Sequence, residues 1–286
     1  MIRFFTDMAV NPLLLTGVLG GILAAVACGM IGPYVITRRI VFLTGAIAHI
    51  VVGGVGAVLF LRYWFAPGLT WLEPLHGAVV AAVLAAVLVG LVQQYVKERL
   101  DTLIGALWAT GMAVGIMLVK YTPGYQTEIF SYLFGNVSVV SAADVRLIAA
   151  LDGVIIIIVA LWHKRIFAVC LDEEYARLQG VNVLLTNIVL LCLVSLAVVA
   201  LIRVVGLILV IALLSLPAAA AGHLTRRLFP MMAVSTVLCV LLTTVPRAAV
   251  YGTRIAPESA IVLAAVVAYL GALGLSHMAH RHSRRG

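Results

Sequence analysis

"IVFLTGAIAHIVVGGVGAVLFLR", residues 40–62, is an apolar run that ends on Arg62 and follows two more arginines, Arg38 and Arg39. A helix needs about 20 residues to cross roughly 30 Å of hydrocarbon, and this run is long enough alone. Similar blocks recur along all 286 residues, of which 64% are hydrophobic and only 10% charged. A soluble domain carries about 25% charged residues, so this chain lacks the polar side chains to cover a globule in water. A transmembrane barrel would show short alternating segments instead. The fold class is therefore an all-α polytopic membrane protein with about 8–9 transmembrane helices, in a single membrane domain over 1–286.

The apolar blocks predict spans near 11–36, 40–62, 76–96, 102–119, 145–162, 183–202, 204–222, 229–246 and 258–276. Alternating loops then carry 12 basic residues on one side, from Arg38 to Arg285, and 7 on the other. Cytoplasmic loops hold the excess of Lys and Arg, which predicts an outside N-terminus and a cytoplasmic C-terminus. The net charge of +8 thus reports orientation rather than a nucleic-acid partner. The start, "MIRFFTDMAVNPLLL", lacks the layout of a removable signal. Cys28, Cys170, Cys192 and Cys239 form no CxxC pair and read as small buried apolar side chains.

Two connections exceed a turn. Residues 120–144, with Phe130, Tyr132 and Phe134, suggest an interfacial or re-entrant segment. Residues 163–182, "HKRIFAVCLDEEYARLQGVN", form the one sizeable cytoplasmic loop. Within it, Asp172, Glu173 and Glu174 open a short amphipathic helix that Gly180 stops, the kind of piece a cytoplasmic partner grips. The basic tail 277–286, with His277, His280 and His282, suits an anionic membrane surface.

The chain has no GxxxxGK[ST] phosphate loop, no HExxH and no GxSxG. It is expected to be a transporter subunit, not an enzyme, and to hold no permanent cofactor. His49 lies about ten residues, roughly 15 Å, into its span, near the bilayer midplane. Ionisable groups at that depth are functional candidates, and a neutral imidazole binds transition metals. Gly45, Ala46, Gly53 and Gly56 share roughly its helix face. A histidine bonded across a packed helix pair remains open at this point. Asp152 in "LIAALDGVIIIIVALW" sits at similar depth, either as a second metal contact or as an interhelical hydrogen bond. Pro217 in "GLILVIALLSLPAAAAGHL" frees the carbonyl four residues earlier, which suits a kinked gating helix. A stand-alone carrier or channel, with His49 and Asp152 as an ion relay, and an intramembrane enzyme are the competing classes.

Five stretches in order carry a resemblance: "GMIGPYVITRRIVFLTGAIAHIVVGG" (29–54), "RLDTLIGALWATGMAVGIML" (99–118), "SYLFGNVSVVSAADV" (131–145), "DEEYARLQGV" (172–181) and "VVGLILVIALLSLPAAAA" (204–221). Over about 17–275 the chain resembles the permeases of the zinc, manganese and iron ABC importers, the ABC-3 branch. The resemblance implies a homodimer with the pore on its axis, two cytoplasmic ATPase subunits where ATP acts, and an extracytoplasmic metal-binding protein. It implies a prokaryotic plasma membrane, the inner one where there are two. Asp172, Glu174, Ala176 and Gly180 match the family's ATPase-coupling segment. The family's usual pattern is like GDALSH, whose Asp–His pair serves the metal site of manganese members. Here "TGAIAH" keeps His49 but has Gly45 at the acid position. Loss of a hard oxygen ligand favours Zn²⁺ as the transported ion over Mn²⁺ or Fe²⁺.

Overall fold

A computed structural model describes residues 2–65, 68, 71–95, 100–124, 135 and 140–283. Within them the chain is helical: α1 Ile2–Val10, α2 Pro12–Arg38, α3 Val41–Trp64, α4 Pro74–Tyr95, α5 Leu100–Lys120, α6 Ala142–Leu171, α7 Glu173–Leu178, α8 Val183–Leu224, α9 Leu228–Val250 and α10 Pro257–Ser283. Among the described residues, eight helices are long and apolar enough to cross a membrane, and Leu209–Leu224 is a shorter apolar one.

The ends of these helices follow from local chemistry. Asn11 caps α2 by accepting from the Leu13 amide, with Pro12 at the first turn where it needs no donor. Arg39 closes α2 in the left-handed region, φ 59°, and two residues later the chain re-enters helix as α3. Ser141 and Asp144 cap α6 reciprocally; Asp144 also pairs with Arg203 at 3.0 Å.

The expected spans 183–202 and 204–222 are both present, joined without a loop. Helix α8 breaks at Gly206, whose φ of 77° and ψ of 167° are non-helical and open to glycine without a Cβ penalty. Asn187 in the first limb bonds Arg38 at the end of α2, whereas Val204 packs at Gly20 near its start. The second limb then runs back along α2, with the Leu214 carbonyl and Ala218 against Gly32. Gly222 and Thr225 reach a cavity they share with Thr37 and His163. The limbs therefore form a tight helical hairpin, so the chain reverses at Gly206.

Helices α2, α3 and α8 make the centre. Of the core window in α3, 72% is buried, against 11% in α5 and 17% in α10, so the latter two present apolar faces outward. Membrane helices gain little from hydrophobic contact with one another and associate through close packing of small residues. Here a Cβ on Gly53 would meet the Gly111 carbonyl at 3.1 Å and one on Gly56 the Gly115 carbonyl at 2.8 Å. That seam locks α3 onto α5.

Three expectations on extent change. Helix α6 continues to Leu171, nine residues past the predicted span end, so the connection at 163–182 is mostly helix. His163 and Lys164 look like loop, but the Tyr34 hydroxyl bonds His163 at 2.5 Å, and Ile166, Val169 and Cys170 are buried. Helix α10 likewise runs through Ser283, beyond the expected start of the tail. Helix α1, with Phe4 buried beside Leu14 and Ala248, precedes the first predicted span. The aromatic stretch with Phe130, Tyr132 and Phe134 lies outside the described residues.

Candidate metal site and coupling segment

His49 sits on α3 and is 8% exposed. Its Nδ1 lies 2.8 Å from the Gly45 carbonyl, one turn earlier on the same helix. A carbonyl oxygen only accepts, so Nδ1 carries the proton and Nε2 keeps its lone pair, the arrangement a metal-binding imidazole needs. From α5 the indole of Trp108 covers the imidazole, with ring centroids 4.4 Å apart and planes tilted by 35°. Trp108, Gly111 and Gly115 fall on one face of α5, so the glycine seam with α3 presses the indole onto His49.

Gly45 is where an acid would stand in the sequence pattern. A Cβ there would meet Ile211 Cδ1 at 2.9 Å and Trp108 Cζ3 at 2.9 Å. The carboxylate position is thus filled by an aromatic ring from α5 and an aliphatic side chain from the second limb of α8. Among the described residues, no group of three or more His, Cys, Asp or Glu side chains converges. Within one chain the site is a single imidazole under an indole.

Asp152 does not join it. Helix α6 packs on α2 and α8, whereas α3 packs on α4, α5 and α8. The carboxylate is 3% exposed, and among the described residues neither oxygen has a hydrogen-bond partner. A buried polar group without a partner costs about 1–3 kcal/mol. Replacing Asp152 with the similarly sized Leu is therefore expected to stabilise the solubilised protein by that order, about 1–3 kcal/mol, read as a higher thermal unfolding midpoint.

At the Arg38 end, Asp172 caps α7 through its carboxylate, which accepts from the Glu174 and Tyr175 amides. Ala176 is fully buried against Val169 and Val183, and Gly180 turns the chain at φ 76°. Leu178, Tyr175 and Leu171 project outward, 87%, 57% and 65% exposed. The four residues picked from sequence thus act together: a cap, an exposed acid, a buried anchor and a stop.

Sequence reasoning missed what holds α7 in place. Arg38 pairs with Glu173, donates to the Val169 carbonyl at 3.3 Å and to Asn187 Oδ1 at 3.2 Å. Asn187 in turn donates to Gln93 at 2.7 Å. One guanidinium ties α2, α6, α7 and α8 around a polar cavity of about 330 Å³. Arg38→Ala should cost only about 1 kcal/mol of stability, since Glu173 is 44% exposed and the pair is partly screened by solvent. Its larger expected effect is to loosen α7, read as faster hydrogen exchange of the amides at 174–178 in the variant.

Comparison with known proteins agrees with this architecture. A membrane protein of Synechocystis sp. is 39% identical over 88% of this chain and 87% of its own. The manganese transport system membrane protein MntC of Halalkalibacterium halodurans is 29% identical over 83% of this chain and 78% of its own. The solved structure of PsaBC from Streptococcus pneumoniae in complex with Fab superposes with a TM-score of 0.83 at 26% identity, covering 95% of each chain. With residues 11–276 matching the model of the ABC 3 transport family, a stretch that takes in the His49 helix, the hairpin at Gly206 and α7, the chain belongs to that family.

Proposed function

We propose that this chain is the membrane permease of an ATP-driven importer for a divalent transition metal, with zinc as the preferred cargo. The observation that carries the proposal is the environment of His49. Its Nδ1 is occupied by the Gly45 carbonyl, its Nε2 is free to coordinate, and Trp108 and Ile211 stand where a carboxylate would lie. Manganese favours oxygen-rich sites, whereas imidazole suits zinc. In a homodimer with His49 near the axis, two symmetry-related imidazoles would hold the ion, few enough to release it again. Asp152, on the far side of α2 and α8, plays no direct part in this reading.

The partners follow from the absent nucleotide-binding motif and the shape of α7. ATP is hydrolysed by two separate cytoplasmic subunits, each receiving an α7 through its exposed Leu171, Tyr175 and Leu178. An extracytoplasmic metal-binding protein delivers the ion, the C-terminus lies in the cytoplasm, and the membrane is a prokaryotic plasma membrane. Pro217 leaves the second limb of α8, whose Ile211 touches the Gly45 site, one helical hydrogen bond short, the weak point a gate needs. The manganese name of one relative supports a second reading, the same importer with manganese as cargo.

The test is uptake into proteoliposomes holding the permease, its ATPase and its binding protein, with radiolabelled Zn²⁺ or Mn²⁺ and with or without ATP. ATP-dependent uptake favouring zinc is expected. Preference for manganese would overturn the cargo assignment alone, and uptake indifferent to ATP would overturn the importer.

A further inference from the structure

Pro217 removes the amide that would bond the Leu213 carbonyl, and two thiols from other helices reach that oxygen. Cys28 on α2 lies 2.7 Å from it and Cys239 on α9 3.7 Å. Both are free cysteines, sealed at 1% and 0% exposure, and share the Leu213 carbonyl as their partner oxygen. The helices that carry them approach closely, since a Cβ on Gly29, next to Cys28, would fall 2.2 Å from the Thr236 backbone. Three elements thus converge on one oxygen with two sulfurs beside it.

The geometry points to a second metal site, in which Cys28, Cys239 and the Leu213 carbonyl bind a thiophilic divalent cation of the zinc and cadmium class. Thiolates are the ligating species, so binding follows M²⁺ + 2 R–SH → M(SR)₂ + 2 H⁺. Two new metal–sulfur bonds replace two sulfur–hydrogen bonds, no electrons change hands, and the two protons leave for water. The product is electrically neutral, which matters where an unbalanced charge is costly to bury. A monovalent soft ion would leave one net negative charge, and a hard ion such as Mn²⁺ or Mg²⁺ gains little from sulfur. The carbonyl is available because Pro217 has no amide to donate to it.

This site is separate from His49 but mechanically joined to it. Leu213 lies two residues from Ile211, whose side chain packs at Gly45. An ion held by both sulfurs and the carbonyl would fasten α2, α9 and the second limb of α8 together one turn before Pro217. It would thereby hold Ile211 fixed. The binding site rests on its own geometry; the consequence for transport rests on the proposed importer.

The test uses Cd²⁺ and the full chain, with Cys170→Ser and Cys192→Ser removing the two other thiols and His49→Ala the imidazole of the proposed transport site. After equilibration with Cd²⁺, the protein is expected to show the ultraviolet charge-transfer absorption of cadmium thiolate. Adding Cys28→Ser or Cys239→Ser is expected to abolish it. Serine keeps a hydroxyl for the Leu213 carbonyl, so these variants should elute as the parent does in gel filtration. Absorption that survives both substitutions, or is missing from the parent, overturns the site whatever the transport assay gives. In proteoliposomes with His49 intact, cadmium bound between the cysteines should leave ATP-driven uptake blocked after external Cd²⁺ is removed. Competition at His49 would wash out. A block that persists in the Cys28→Ser permease would overturn the proposed link to the second limb of α8.

Discussion

His49→Ala is expected to lower ATP-driven metal uptake by at least about a hundredfold, since even indirect partners of a metal ligand are worth ~10–100-fold. The loss should fall on transport rather than on folding. Among the described residues His49 makes one hydrogen bond, to its own helix, and one ring contact, to Trp108. Removing the imidazole costs about 1–3 kcal/mol of lost burial, well within the stability of a packed domain. Gel filtration and partner-stimulated ATP hydrolysis of the variant should therefore resemble the parent while radiolabelled uptake disappears. Uptake that persists would return His49 to a packing role beside Trp108.

The second large effect concerns cargo. Restoring an acid at Gly45 alone is expected to fail, because its Cβ would already stand 2.9 Å from both Ile211 Cδ1 and Trp108 Cζ3. Overpacking of that order costs about 1–3 kcal/mol, and an unpaired carboxylate against apolar walls adds more. Gly45→Asp should therefore express poorly and unfold at lower temperature. Combining it with Trp108→Ala opens the space and places an oxygen ligand one turn from His49. The double variant is expected to lose the overlap with the indole while keeping that with Ile211, and to raise the ratio of manganese to zinc uptake by about tenfold, equivalent to ~1.4 kcal/mol. Competition between the two radiolabelled ions measures it directly. If the double variant is stable and the ratio does not move, the indole is a packing residue without influence on cargo.

Much of this arrangement was readable in the chain itself. Periodicity and length found each membrane helix, including the two limbs of α8, because a span announces itself by 20 or so apolar residues. Positive charge marked the end of the bundle where Arg38, Arg226 and Arg227 now sit with α7. Acids followed by glycine disclosed that helix, since caps and stops are local signals. What the sequence hid depends on contacts between distant segments. Trp108 belongs to the His49 site only because Gly53 meets Gly111 and Gly56 meets Gly115; the spacing of Trp108, Gly111 and Gly115 along α5 was the available clue. Cys28 and Cys239 read correctly as buried, but nothing local says that both face the carbonyl freed by Pro217. Asp152 stood at a depth like that of His49, yet depth fixes height in the membrane and not azimuth, and the packing turns it toward other helices.

The reversal at Gly206 has a consequence for how force travels. Four residues separate the end of α7 at Leu178 from the start of α8 at Val183, and one glycine separates its two limbs. From α7 to Ile211, which packs at Gly45, the backbone is therefore a pair of stiff struts with scarcely any slack. A push on α7 is not dissipated in a loop. In the proposed importer it would travel along one strut and over the bend, and reach the turn of Gly45 and His49 from the far end of the bundle.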